Sequence, residues 1–430
     1  MSIRVKMDLL GFDIRQKIDD NLRIKLEPNK YMVGAPCRYI YPYDVDDNNI
    51  VYLPFSYACQ ELKLKPRERK DLNEVKVSFE GKLREMQVEV KKEALKILSE
   101  KGSVLISLGT GLGKTCLSIA LSCRIGFRTL VIVNKVVLMK QWESSIIKFC
   151  PEARVQIVKP KDKLEDCDFY IINAMNVEKM GKDYFNDIGT CVLDEVHLLM
   201  AETLSKSLKY IYPRYLIGLS ATPYRPDGLN MLLDLYLGPD KIIRKLYREH
   251  IVYRVNSGFV PTIELTENGK MNWNTVLKSQ SEDESRNRLI IDIVKHFKDR
   301  VFLILTKRIE QGNYLVRELV EEGEDVTSLI GKQQEFEASS RILIGTVSKV
   351  GVGFDHPRLD TLLLAADVEE YFIQYLGRVF RRQDTVPIIF DIVDKNPIIE
   401  KHYKTRKEVF IEHGGKIKNF NREYPEFFEE

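Results

Sequence analysis

Residues Leu108 to Thr115 read LGTGLGKT, and what flanks them decides the fold. The apolar run Val104–Leu108 leads in as a buried strand, and the helical run Cys116–Ile125 leads out. Strand, glycine-rich loop and helix in that order form an anion cradle. Gly109, Gly111 and Gly113 let the backbone of the loop, Thr110 included, turn its N–H groups inward, and the helix presents its positive end to the same point. Lys114 is placed to reach terminal phosphates, and Thr115 offers a hydroxyl to Mg²⁺. The strict GxxxxGK[ST] pattern has glycine where this chain has Leu108, a looser first position.

Working outward, Cys191-Val192-Leu193 runs into Asp194-Glu195-Val196-His197. A buried strand ending in paired acids complements a phosphate loop: Asp194 would hold Mg²⁺, and Glu195 would orient and deprotonate an attacking water. An isolated acidic pair is more often an exposed turn, but here the loop upstream asks for such a pair. Transfer of a phosphoryl group also needs cationic charge. Gln374 to Arg382 reads QYLGRVFRR, whose spacing places Gln374, Gly377, Arg378 and Arg381 on one helix face. Forked guanidiniums there suit a γ-phosphate; the alternative is a basic helix surface touching nucleic acid or nothing.

From about Lys82 onward, short β-branched runs alternate with helical stretches. Strands are expected at Val104–Leu108, Leu130–Val133, Phe169–Ile172, Cys191–Leu193 and Leu216–Leu219, then at Val301–Leu305, Ile342–Gly345, Leu362–Ala365 and Ile388–Val393. Alternation of this kind predicts parallel sheets covered by helices, hence an α/β class with two lobes at 81–225 and 285–430. Residues 226–284 read as a linker with inserted elements, because prolines and glycines break the rhythm. Residues 1–80 read as a small separate accessory module with some β content. Glu423 to Glu430 reads as a solvated acidic tail.

The 430 residues are 44% apolar, enough for a core in each of two or three domains. No apolar stretch is long enough to span a membrane, and Arg4, Lys6 and Asp8 interrupt any signal-like start, so a soluble, unprocessed chain without a membrane partner is expected. The seven cysteines include no CxxC pair, which speaks against a zinc or iron–sulfur site and for free thiols in a reducing, intracellular compartment. Lys and Arg number 66 against 63 Asp and Glu, a net charge of +3 that by itself gives no support to a polyanion partner.

Together these motifs resemble superfamily 2 helicases and translocases of the DExH type, with two RecA-like lobes, over Arg84 to Asp394. Arg84-Glu85-Met86-Gln87 resembles the RxxQ element, which implies that Arg84 and Gln87 serve the nucleotide and that Gln87 reads adenine. Val131 to Trp142 resembles motif Ia and Tyr170 to Asn176 motif Ib, which implies strand contacts by Lys135 and Asn173. Ser220-Ala221-Thr222 is similar to the SAT motif, so Ser220 and Thr222, with His197 of the DExH box, would link hydrolysis to movement. Val301 to Lys307 stands at motif IV and Thr346 to Asp355 resembles motif V. These imply strand contacts by Thr306, Lys307, Thr346 and Lys349, with Gly353 and Asp355 toward nucleotide. QYLGRVFRR matches motif VI, making Arg378 and Arg381 arginine fingers and Gln374 a nucleotide contact.

The likeness extends to the group holding the xeroderma group B repair helicase, the phage helicase UvsW and the transcript-release helicases of large DNA viruses. It rests on the QW ending of motif Ia, the SATPYRPDG run at Ser220 to Gly228, the Arg286-Asn287 dipeptide and the compact GRVFRR. The resemblance implies an ATP- and Mg²⁺-dependent enzyme acting on DNA in repair, recombination or transcription. An RNA helicase or transcript-release factor is the second reading, and a non-catalytic subunit with a relic nucleotide site the third. A cytoplasmic or nuclear setting, in a host cell or virion if viral, and protein partners through the N-terminal module are further expectations. Lys63, Lys65, Arg67, Arg69 and Lys70, and Lys241, Arg244, Lys245, Arg248 and Arg254, are candidate auxiliary contacts expected to line the nucleic-acid track, a solvated basic face being the alternative reading of each cluster. Trp273 reads as a hydrophobic anchor rather than a strand-separating wedge.

Overall fold

The computed structural model describes residues 1–25, 39–199, 208–221, 230–266, 269, 271–333, 335–350, 356–368, 372–382 and 384–420. The chain divides into two compact units, one running to Arg244 apart from Gly109–Gly111, the other from Lys245 onward. Among the described residues no helix is long and apolar enough to cross a membrane.

The first unit opens with β1 (Ser2–Lys6), α1 (Phe12–Asn21), the short pair β2 (Ile24–Lys25) and β3 (Tyr39–Ile40), β4 (Asp44–Val45), β5 (Ile50–Pro54) and α2 (Phe55–Gln60). Strands β1, β5 and β4 form an antiparallel sheet, the β content read from the sequence. The segment is not a separate body, however. Met1, Ile3, Leu53, Phe55 and Ala58 are buried in one apolar cluster with Leu208, Ile211, Tyr236 and Leu237. The Ser2 N–H donates to Ile211 O at 2.9 Å. The physical reason is the uncharged run YLPFSYA, which buries nearly all of its surface and so requires a neighbour.

There follow α3 (Glu85–Lys101), β6 (Ser103–Leu108), α4 (Lys114–Ile125), β7 (Thr129–Val133), α5 (Val136–Phe149), β8 (Val155–Ile157), β9 (Phe169–Asn173), β10 (Thr190–Leu193), β11 (Tyr215–Ser220) and β12 (Lys241–Arg244). The strands make a parallel sheet in the order β12-β6-β11-β10-β7-β9-β8. Helix α3 stops at Gly102, whose φ of 77° is the left-handed cap that glycine adopts without steric cost. All residues of β6, β7, β9 and β10 are buried, as continuous β-branched runs covered on both faces must be.

The second unit holds β13 (His250–Asn256), β14 (Phe302–Thr306), β15 (Val326–Leu329), β16 (Ile342–Thr346), β17 (Thr361–Leu364), β18 (Ile388–Val393) and β19 (Gly415–Phe420). These form a second parallel sheet, in the order β15-β16-β14-β17-β18-β13-β19, with apolar clusters on its two faces. The expected α/β class with two parallel sheets is therefore what the chain forms.

The stretch read as a linker does more than connect. It supplies β12, an edge strand of the first sheet, and β13, an inner strand of the second. The Arg286-Asn287 dipeptide is architectural: Arg286 Nε donates to Asp394 Oδ1 at 2.8 Å and Nη1 to Ala365 O at 2.7 Å, and Asn287 Oδ1 accepts from Gln311 Nε2 at 3.0 Å. Trp273 packs against the cluster of Val276, Val393, Ile399 and Tyr403 and stacks on His402, consistent with an anchor.

Candidate active site and nucleic-acid contacts

Three neighbouring strands of the first sheet end side by side: β6 in the phosphate loop, β11 at Ser220 and β10 at the acidic pair. Gly111 (φ 86°) and Gly113 (φ 79°) bend the loop through the left-handed region. A Cβ at Gly113 would also lie 2.4 Å from Gln87 Nε2. That amide donates to Leu112 O (3.1 Å) and Gly113 O (3.3 Å), while Gln87 Oε1 accepts from the Arg84 N–H at 2.9 Å. The side chain is buried. Gln87 thus clamps the phosphate loop to the start of α3, and its amide is engaged there rather than presented to a base. Lys114, first residue of α4, donates to Leu108 O at 3.2 Å, with Thr115 next to it.

Asp194 is 7% exposed. Its Oδ2 accepts from the Trp142 indole N–H at 2.8 Å, and its Oδ1 from the Glu195 N–H at 3.1 Å. Burial, then the negative charge of Glu195, pushes the Asp194 carboxyl up to about 6, against the opposing pull of the Trp142 bond and of Lys114. Glu195 has φ 49°, a left-handed conformation that costs a non-glycine residue free energy. Its buried Oε2 has no hydrogen-bond partner, and His197 Nδ1 lies 3.6 Å away. His197 Nδ1 also meets Ser220 Oγ at 2.8 Å, both buried, joining the DExH box to the SAT motif across β10 and β11. Thr222, Gly353 and Asp355 lie outside the described residues.

Among the described residues neither Asp194 nor Glu195 forms an ion pair with a lysine or arginine. A buried and a half-buried carboxylate side by side, one with an orphaned oxygen and neither held in an ion pair by a described lysine or arginine, make a hard-oxygen environment that fits Mg²⁺.

In the first unit two strand-contact candidates sit farther along the same edge of the sheet. Lys135 caps α5 just beyond β7, half-buried, and burial lowers its ammonium from the ordinary value. Asn173 ends β9, and its Oδ1 accepts from the Met175 N–H at 3.0 Å, so part of its role is to start a short helix. In the second unit Thr306 and Thr346 end β14 and β16 and are register partners. Lys307 follows Thr306, and Thr346 Oγ1 lies 3.3 Å from Ser348 Oγ. Lys349 Nζ donates to Gln333 O at 3.1 Å. Each set occupies the carboxyl ends of adjacent parallel strands, the place where open α/β sheets bind ligands.

Two expectations need correction. Gln374, Gly377 and Arg378 lie on the helix Phe372–Val379, but Arg381 lies beyond its end, so the four do not share one helical face. Arg248 occupies the carbonyls at that end, donating to Phe380 O at 2.6 Å and Thr385 O at 2.7 Å. Burial lowers the Arg381 guanidinium from its ordinary value. The basic clusters, secondly, are mostly committed within the fold. Lys241 pairs with Asp234 (3.0 Å), Arg244 with Glu93 (2.9 Å) and Arg254 with Glu400 (2.8 Å), and Lys245 pairs with Glu412. In the N-terminal segment Arg69 pairs with Glu74 and Lys70 with Glu68, and Arg67 donates to Tyr212 O. Lys63 and Lys65 line a cavity of about 660 Å³ with Gly102 and Tyr215, at the amino ends of β6 and β11. That is a strand length, about 20 Å, from the phosphate loop. These lysines do not line the edge where the candidate contacts lie.

Sequence reasoning assigned no role to Trp142. Its one signal was the QW that closes motif Ia, and only the fold brings the indole to a carboxylate 52 residues away.

Comparison with known proteins agrees with this geometry. Residues 80–225 match the family described as "Type III restriction enzyme, res subunit". The chain is similar to "Putative helicase 161L" of Invertebrate iridescent virus 6, with 41% identity over 447 residues, spanning 98% of this chain and 100% of that one. It is also similar to "Putative ATP-dependent RNA helicase L396" of Acanthamoeba polyphaga mimivirus, with 25% identity over 95% of this chain and 85% of that one. Among solved structures, that of S. cerevisiae Dbp5 bound to RNA and ADP BeF3 aligns at a TM-score of 0.53 and 13% identity, over 77% of this chain and 89% of that one, a likeness of fold. With its two RecA-like lobes and a viral relative matched along nearly its whole length, the chain belongs to the superfamily 2 helicases, of the type found in large DNA viruses.

Proposed function

We propose that the protein couples ATP hydrolysis to movement along DNA, separating strands or remodelling branched duplexes. The observation that carries this reading is the uncompensated carboxylate pair Asp194–Glu195 beside the phosphate loop. Lys114 and the loop N–H groups hold the phosphates of ATP, and Thr115 and Asp194 hold Mg²⁺. When bound, the cation offsets charge on the phosphate oxygens. Glu195 orients the attacking water and takes its proton. Arg378 and Arg381 supply further positive charge, the role their motif assigns them.

The His197–Ser220 bond carries a change at Glu195 to the end of β11. Lys135 and Asn173 in one unit, and Thr306, Lys307, Thr346 and Lys349 in the other, hold backbone phosphates. Such contacts position a strand without reading bases.

The test is an ATPase assay across single-stranded, duplex, forked and four-way DNA with an RNA control. DNA is expected to raise the rate, and Lys114→Ala to lower kcat by about 100-fold. A rate indifferent to every nucleic acid, or unaffected by Lys114→Ala, would sink the reading. RNA is the second substrate class, favoured by the name of the mimivirus relative. Stronger stimulation by RNA than by DNA of equal length would decide for it.

A further inference from the structure

Trp142 stands in the middle of α5, a helix with no glycine or proline between Val136 and Phe149, so its 14 residues move as one body. One end of that body is Lys135, a candidate strand contact, followed by the exposed side chains of Val136 and Val137. About 10 Å further along the helix axis, the buried indole donates to Asp194 Oδ2. A buried indole N–H requires an acceptor, but a neutral backbone carbonyl would satisfy it. Here it meets one of two adjacent unpaired carboxylates. With Oδ1 held by the Glu195 N–H, the bond fixes the rotation of the carboxylate and so which lone pairs remain for a cation. His197 reaches the same pair from the β11 side, whereas Trp142 reaches it from the β7 side.

We propose that Trp142 is a positioning residue through which a strand held at Lys135 sets the placement of Asp194, so that nucleic acid tunes the ATP site by way of α5. The inference rests on the reading of the protein as a nucleic-acid-stimulated ATPase. It adds a second connection to the one through Ser220.

The chain's two tryptophans make the test direct. Trp273→Phe, remote in sequence and packed in the second unit, leaves Trp142 as the only indole emitter. In that protein single-stranded DNA, or RNA if the ATPase assay shows RNA to be the stronger activator, should change Trp142 emission without nucleotide, and Mg²⁺ with ADP should change it again. Trp142→Phe, which keeps an aromatic ring and removes the N–H, should lower strand-stimulated kcat by about 10-fold with the KM for ATP little altered. Emission unmoved by a strand that binds by anisotropy overturns the inference while leaving the ATPase reading intact. An unaltered ratio of stimulated to unstimulated rate in Trp142→Phe does the same. If Trp142→Phe fails to fold, the emission experiment decides alone. If the parent protein neither binds any strand nor is stimulated by one, the functional reading falls, and this inference with it.

Discussion

Buried carboxylates occur in both units, but their partners differ. In the second unit Asp394 meets Arg286, and Asp391 and Asp367 meet Arg406 at 2.8 and 2.6 Å, every group within this network being close to fully buried. In the first unit Asp194 has an indole N–H and Glu195 a histidine 3.6 Å away. Charge neutralised inside the fold holds architecture together, whereas charge left uncompensated awaits something from outside. The contrast separates two chemically identical residue types, one structural and one set aside for a ligand.

The most severe way to probe that contrast is to unbalance a structural pair. Asp391→Ala leaves the buried Arg406 Nε and Nη2 without their acceptors, Asp367 alone still facing the charge, and should cost about 2–3 kcal/mol of stability in urea titrations. A loss under about 1 kcal/mol would show that the second unit's network is not structural in this sense.

The second probe is pH. The folded-state value of Asp194 is raised from 3.8 to about 6, so protonation favours the folded, ligand-free chain. The contribution is complete below the unfolded value and is lost as pH rises through the folded one. Ligand-free stability should therefore fall between pH 5 and 7, by on the order of 1 kcal/mol, and Mg²⁺ should restore it at the upper end. Glu195→Gln removes the like charge and should flatten the slope. A stability independent of pH in this window, with no response to Mg²⁺, would contradict the assignment.

The smallest expected effect concerns the lysines. Lys135→Ala should lower the salt slope of nucleic-acid binding by about one, whereas Lys63→Ala with Lys65→Ala should leave it unchanged, because those two sit at the opposite ends of the strands. Equal slopes for the two variants would erase the distinction between site and surface.

Much of the fold was legible. The inner strands β6, β7, β9, β10, β14 and β16 are largely apolar runs, and β18 is one interrupted by Asp391, because both of their faces are covered. What escaped reading were β8, β12, β15 and β19, whose polar residues suit an edge, and β13, whose His250 and Arg254 disguise an inner strand. The helix after Gln374 was read too long, since Arg248 caps it from far along the chain. The basic clusters are real in sequence, but acids pair with many of their members, from nearby positions for Arg69, Lys70 and Lys241 and from distant segments for Arg244, Lys245 and Arg254.

The sequence by itself determined the phosphate loop, the acidic pair and their attachment to strands, because these depend on backbone geometry over a few residues and on side chains of fixed chemistry. Only the tertiary structure decided which charges are spent on architecture, that Gln87 grips the phosphate loop, and that Trp142 touches Asp194. Those outcomes depend on which strands become neighbours in a sheet. Residues as far apart as Arg286 and Asp394 then share one buried space, where a charge must be paired or else reserved for a ligand.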